Sequence, residues 1–564
     1  MNVLGVSAWY HDAAAALVRD GDVVAAAQEE RFSRRKNDPS FPAAAARFCL
    51  RHAGLRPSDL DAVVFYEKPF RRFERILVTQ LRAFPRSAKA FSRAMFDWLG
   101  GKLWMKTRIA DALDVPASRV LFCEHHESHA ASAFFPSGFD DAAVLTVDGV
   151  GEWTTTAAWR GRGAALEPLT ETRFPHSLGL MYSAVTAFLG FEVNDGEQKV
   201  MALAALGEPR YRDACESLLR FLPDGGFELD ASAFRFAWDP DRSFGRRLVE
   251  LFGEPRAPGG PLLATGADRR HADVAASVQA TLEDALIRLA RDLHARAPSE
   301  NLCLAGGVAL NIPANARLLR DGPFKRLFVQ PSPGDSGGAL GAALYGHAAL
   351  TGERPRYVQR HAFLGEPLRD DPRPGARELP DDDAVVDETS RLLAEGRTVG
   401  FVQGRFEWGP RALGRRSLLA SPRDPAMKER INGVIKRRES FRPFAPAAPA
   451  ERAAEYFAIP PGGESPARYM LVVGDATDRG RAAAPAALHV DGTARAQVVD
   501  RDVDPLFHAV LERFGERTGD PVLLNTSLNL RGEPIVRGEA DAHAVWTRSA
   551  LDALVAGRRL YVRD

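Results

Sequence analysis

The stretch DDAAVLTVDGVGEWTTTAAWRG, residues 140–161, holds an apolar strand ending at Asp148-Gly149, a polar turn, and a second segment rich in strand formers. The chain opens on the same scheme. NVLGVSA (2–8) is apolar, WYHD (9–12) interrupts, and AAAALVRDG (13–21) resumes before Asp20-Gly21 leads into DVVAAAQEERFSRRK (22–36). Asp-Gly between apolar runs signals a hairpin, because both residues tolerate positive φ. Two copies of strand, polar turn and strand predict a duplicated α/β fold of two related lobes.

The bulk composition bounds the rest. A chain of 564 residues is too long for one core and predicts several structural units. Its apolar content of 45% suits a folded, water-facing protein. Lys plus Arg and Asp plus Glu are both 74, so the total charge favours neither nucleic acid nor a membrane as partner. Cys49, Cys123, Cys215 and Cys303 are scattered without CxxC spacing, which argues against a disulfide framework or a thiolate zinc site. No apolar run approaches the ~20 residues a membrane span needs, and MNVLGVSAWYHDAAAALV lacks the basic start of a secretory leader. The expectation is a cytoplasmic multi-domain protein.

Further on, NLCLAGGVALN (301–311) reads as a buried strand running into Gly306-Gly307 and a helix, the pattern expected where backbone approaches a nucleotide. VQPSPGDSGGALGAALYG (329–346) reads as another strand, Gly-rich turn and helix. Residues 70–115 are amphipathic and rich in Arg and Lys, with Trp98 and Trp104: solvated helices with aromatic anchors, or a lid over a substrate. The Pro-, Gly- and charge-rich segment 356–379 predicts a linker between residues 1–355 and a separate α/β domain, 380–564. In that domain a helix is expected at 384–396, a strand at 398–403, and another strand before NTSLN (525–529).

His125 and His129 are four residues apart, so on a helix they share one face and suit one metal ion. The zinc-protease pattern fails, because His126-Glu127 is followed at the required place by Ala130. His126, on another face, is expected to support the pair or touch phosphate. Asp148 ends a strand, and Asp335 lies in the turn PGDSGG; a buried carboxylate needs a partner, and a cation supplies one. Two imidazoles and two carboxylates suit Fe(II), Zn(II) or Mn(II). His11-Asp12 is either a proton acceptor for an attacking alcohol or an Asx turn with an incidental histidine. In residues 401–446, cations alternate with Trp408, Phe441 and Phe444, which points to an ordered anion pocket. There Arg411, Lys436 and Arg442 would neutralise phosphates, joined by Arg495 from a strand in 491–499 and by Asn525 and Ser527 at a strand end.

Six stretches together resemble the O-carbamoyltransferases of the NodU/CmcH type: residues 125–156, 174–204, 302–311, 404–425 (GRFEWGPRALGRRSLLASPRDP), FRPFAP (441–446) and LLNTSLNLRGEPIV (523–536). They span nearly the whole chain in the family's order. The resemblance implies an actin-like, RNase H-like two-lobe N-terminal domain and a C-terminal domain like threonylcarbamoyl-AMP synthase (YrdC). It implies that carbamoyl phosphate and ATP, with Mg2+, give carbamoyladenylate, whose carbamoyl group passes to a hydroxyl of a natural product at a divalent metal, commonly iron. The family's metal ligands fall on His125, His129, Asp148 and Asp335. Its base falls on His11, with Asp12 beside it, and its carbamoyl phosphate and adenylate contacts fall on Arg411, Lys436, Arg442, Arg495 and Ser527. Gly306-Gly307 would seat the adenosine. Two positions depart from the pattern: Tyr10 stands where a second histidine often precedes His11, and residues 202–207 read ALAALG in place of GLAPYG. The competing readings are a sugar-kinase-like phosphotransferase and a non-catalytic nucleotide-binding module.

Overall fold

Small and branched side chains build the opening strands. Asn2–Ser7, Ala14–Arg19 and Asp22–Gln28 are largely buried and pair as an antiparallel meander. At the second turn Asp20 and Gly21 take φ of 51° and 85°, as a tight hairpin with natural twist requires. The segment 22–36 stays extended only to Gln28, after which Glu30–Ser33 forms one helical turn. Ala62–Phe65 and Val120–Phe122 extend the meander in parallel into a five-stranded sheet. The structure is a computed structural model and describes residues 1–265 and 268–563.

The second lobe repeats this order. Asp141–Val147, Thr154–Arg162 and Ala165–Arg173 form the meander, and Asn301–Ala305 and Arg326–Phe328 add the two parallel strands. The duplication is present strand for strand, in agreement with the two-lobed layout expected. The first turn of each meander spans six residues, 8–13 and 148–153. His11 and Asp12 therefore occupy in one lobe the turn that Asp148 opens in the other.

The helix Asp335–Thr351 leaves the second lobe and packs on the first sheet and along the helix His125–Phe134. That close crossing depends on Gly341, where an added Cβ would lie 1.7 Å from the Ser128 carbonyl oxygen. Gly341→Ala is expected to lower stability by about 1–3 kcal/mol, the usual cost of overpacking, read as a lower denaturant midpoint with unchanged slope. An unchanged midpoint would mean that the two helices separate freely.

Residues 356–379 form a docked connection. Ala362 and Leu364 are buried, and Arg377–Glu378 pairs with the strand Arg559–Val562 to form the edge of the C-terminal sheet. The apolar HAFLG (361–365) within the charged run accounts for this anchoring. The C-terminal half carries an eight-stranded mixed sheet that includes Val399–Val402, Arg416–Ala420 and Leu523–Ser527. Helices Asp382–Ala394 and Pro505–Thr518 share one core, and Glu539–Arg548 shares the other with Met427, Ile431 and Ile435. The two halves are stitched by direct bonds: Arg31 Nη2 donates to the Gly409 carbonyl at 2.7 Å, and Asn315 Nδ2 to that of Leu471 at 2.8 Å. All four cysteines are buried and unbridged. Among the described residues no helix is long and apolar enough to cross a membrane.

Candidate active site and metal centre

The helix His125–Phe134 starts where its own sequence dictates, at a reciprocal cap between Glu124 and Glu127. A second carboxylate fixes its direction. Glu152, from the turn that Asp148 opens, accepts the backbone N–H groups of His125 at 3.1 Å and Lys68 at 2.7 Å. On the helix face His125 and His129 bring their Nε2 atoms to 3.1 Å. Asp148 Oδ2 lies 3.3 Å from His125 Nε2, and Asp335 Oδ1 lies 3.6 Å from both rings. One donor atom from each of the four residues falls within 4.8 Å of every other. A tetrahedron with bonds of about 2.0–2.2 Å has edges of roughly 3.3–3.6 Å, so this donor set fits one divalent cation.

The electrostatics point the same way. Burial alone would depress His125, but Asp335 and Asp148 outweigh it and hold the imidazole up at about 9. Burial opposes ionisation of Asp148 too, yet its bond to His125, with His129 beside it, keeps the carboxyl well below the usual range. Two anionic carboxylates in a buried pocket call for positive charge, which a proton or a metal ion provides. Gly307 N–H donates to Asp148 Oδ1 at 2.7 Å and leaves Oδ2 for the cluster. His126 turns away: its Nδ1 meets Thr146 Oγ1 at 2.8 Å inside the core, and burial pushes its pKa well down. It supports the helix and has no access to phosphate.

His11 sits at the edge of the same cluster. Its Nδ1 bonds Asp12 Oδ2 at 2.9 Å, and its Nε2 faces Asp335 Oδ2 at 3.6 Å. Burial works against the charged ring, but Asp335 and Asp12 raise its pKa well above the ordinary value. Trp9 and Asp12 in this turn hold φ of 66° and 53°, a sparsely populated conformation for residues with a Cβ and one that collects at functional sites.

The C-terminal half contributes cations with few partners. Burial, then like charge nearby, lowers Arg411 to about 10 and Arg438 to about 9, and pushes Lys436 and Arg495 well down. Among the described residues Arg442 has one carboxylate within ion-pair distance, Glu439 at 4.0 Å, which Lys199 shares, with Asp195 farther off. Nε of Arg411 and of Arg495 is buried without a hydrogen-bond partner. Such a set is costly unless an anion joins it. Lys436 ends a π-helical turn, Arg430–Ile435, whose wide winding delivers Nζ to the Ser527 carbonyl at 2.6 Å, Ser527 Oγ at 3.2 Å and Asn529 Oδ1 at 3.1 Å. Asn525 spends its amide on Gln497 and Ala412.

One cavity of about 1000 Å³ joins the two groups, lined by His11, Asp12, Asp148, Gly307 and Asp335 and by Arg411, Lys436, Arg442, Arg495, Asn525 and Ser527. Tyr10 and the departing stretch 202–207, which begins as the last turn of the helix Glu197–Ala204, line it as well through Ala202 and Ala205. Several sequence expectations shift. Gly306 has φ of 93°, and an added Cβ would meet the Val147 carbonyl at 2.2 Å, so the close approach there is to the neighbouring strand. A 3-10 turn, Gly307–Leu310, intervenes before the helix Ile312–Asp321. Arg495 lies between the short strands Thr493–Ala494 and Gln497–Val499. Trp408 and Phe444 are core residues, and of the three aromatics only Phe441 lines the cleft. Arg438, Asn529 and Glu152 escaped the sequence reading. Asn529 was within reach, two residues beyond Ser527 and so on the same side of the strand end.

A carboxylate–imidazole cluster opens into a cation-lined cleft, an arrangement suited to anionic substrates. Residues 2–344 match the family model described as carbamoyltransferase N-terminus, and residues 390–563 match carbamoyltransferase C-terminus. The chain belongs to the carbamoyltransferase family and is a transferase. An uncharacterised protein of Synechocystis sp., sll1178, is 44% identical over 98% of this chain and 95% of its own length. Nodulation protein NolNO of Sinorhizobium fredii is 37% identical over 98% of this chain and 78% of its own, and nodulation protein U of the same species is 31% identical over 94% of each. Among solved structures, component A of the Acidaminococcus fermentans (R)-2-hydroxyglutaryl-CoA dehydratase covers 62% of this chain and 99% of its own at 14% identity and TM-score 0.35. HypF of T. kodakarensis covers 62% and 48% at 17% identity and TM-score 0.32.

Proposed function

We propose that the chain is an ATP-dependent O-carbamoyltransferase that makes carbamoyladenylate from carbamoyl phosphate and ATP, then passes the carbamoyl group to a hydroxyl of a natural product. The observation that carries this reading is the single cleft, in which acid–base and metal-binding groups from one half face uncompensated cations from the other. Its volume of about 1000 Å³ sits at the upper end for small-molecule sites and leaves room for a nucleotide and a second substrate.

In the C-terminal half, read as YrdC-like, Arg411, Lys436, Arg442 and Arg495 bind the phosphates of both donors. Carbamoyl phosphate loses its phosphate to water, and the carbamate oxygen attacks the α-phosphorus of ATP-Mg2+ with pyrophosphate leaving. Ser527 and the unpartnered Oδ1 of Asn525 orient the carbamate, and Gly307, which lines the cleft, seats the adenosine. In the N-terminal half the acceptor oxygen attacks the carbamoyl carbon, its proton moves to Nε2 of the deprotonated His11 ring, and AMP leaves. Asp12 holds the His11 ring through Nδ1 and favours the imidazolium that forms. A divalent metal, iron first and zinc or manganese next, held by His125, His129, Asp148 and Asp335, would supply Lewis acidity at the adenylate.

The test is incubation with ATP, Mg2+ and carbamoyl phosphate. Pyrophosphate release that requires carbamoyl phosphate, and a mass gain of one carbamoyl group on a hydroxylated acceptor, are the expected results. ADP formation would place the chain with phosphotransferases, and no nucleotide turnover with binding modules.

A further inference from the structure

The neutral total charge conceals a strongly basic region. Residues 68–108 hold eleven Lys or Arg against only Glu74 and Asp97. They fold as a helical hairpin, Pro69–Arg82 packed on Ala88–Leu99, followed by Met105–Leu113. Trp98 is buried against Phe73 within it. The outward side collects exposed apolar side chains. Phe70, Leu81, Phe84, Phe96, Leu99 and Trp104 are each more than half exposed, Phe96 at 83%. Burying such side chains is favourable by hydrophobic transfer alone, and exposed apolar patches of this kind mark interaction surfaces.

The charge selects the occupant. Arg82, Arg86, Arg93 and Lys106 are exposed and have no carboxylate within ion-pair distance among the described residues. A second copy docked face to face would set these cations against their own counterparts, so a twofold interface is disfavoured. Aromatic and aliphatic side chains interleaved with unpaired cations on a helical face fit the interface of an anionic bilayer. There the rings enter the headgroup boundary and the cations meet lipid phosphate. We infer that this hairpin docks the protein on an anionic membrane surface. The hairpin is also tied to the reactive turn, since the Arg72 guanidinium lies 4.6 Å from the centre of the Tyr10 ring. The inference stands independently of the carbamoyl chemistry.

The full chain is sedimented with vesicles of phosphatidylcholine alone and of phosphatidylcholine with about one third phosphatidylglycerol. Binding to the anionic vesicles only, weakened by salt and at least about tenfold by the triple variant Arg82→Glu/Arg86→Glu/Arg93→Glu, is the expected result. Anionic vesicles should also blue-shift the tryptophan emission of the native chain and leave that of Trp104→Phe nearly unchanged, a readout that needs no destabilising change. No binding to anionic vesicles, or equal binding to both kinds, overturns the inference. So does a dimer in light scattering that dissociates in Phe84→Ser/Phe96→Ser, which would give the face to another copy of this chain.

Discussion

His11→Asn is expected to lower carbamoyl transfer by about 10²–10⁴-fold, the usual contribution of a positioned general base, while adenylate formation continues at the native rate. The separation follows from where His11 stands. It belongs to the N-terminal turn beside Asp335, whereas the cations proposed to bind phosphate belong to the other half. Asparagine fills similar space but cannot accept the proton. Pyrophosphate release in the presence of carbamoyl phosphate and product formation with acceptor are measured on the same sample. Loss of both together, or loss of neither, would remove His11 from the role of base.

Lys436→Met should produce the converse defect. Nζ is buried, fixed by Ser527 and Asn529, and surrounded by Arg438 and Arg442, so burial and those neighbours depress its pKa well below that of a free lysine. An arriving phosphate reverses that balance, because the anion favours the charged ammonium. Removing the cation should cut pyrophosphate release by about 10²–10³-fold, the range for deleting one preorganised donor to developing negative charge. Metal content should be unaffected. The melting temperature should hold or rise, since an apolar side chain of similar length relieves the desolvation of an unpaired cation. A fall in adenylate formation accompanied by unfolding would assign Lys436 a structural role through Ser527.

The features legible in the sequence were those set by local rules. Asp148 and His11-Asp12 fall at strand ends because the apolar runs stop there, and the repeated order of strand, polar turn and strand reveals the duplicated lobes. The histidine pair needed only helical spacing, and Asp335 only its Gly-rich turn. Long-range geometry hid the rest. Glu152 caps the histidine helix from 27 residues away, which no spacing announces. The π-helical turn before Lys436 leaves no periodic signature in six residues. Trp408 and Phe444 looked like pocket aromatics because they sit among arginines, but Trp408 joins the core of the first lobe and Phe444 a core of the C-terminal sheet. His126 shares a sequence run with two cluster residues yet faces the opposite way, towards Thr146. The basic hairpin vanished in a total charge that sums to zero.

The central claim is that His125, His129, Asp148 and Asp335 share one cation, and X-ray absorption on metal-reconstituted protein tests it most directly. The account predicts one tightly held divalent ion per chain, with nitrogen and oxygen neighbours at about 2.0–2.2 Å, imidazole scattering beyond them, and no sulfur. It also predicts that His129→Ala loses the ion. Reconstituted protein that retains no ion after dialysis, or holds one without imidazole in its shell, would contradict it.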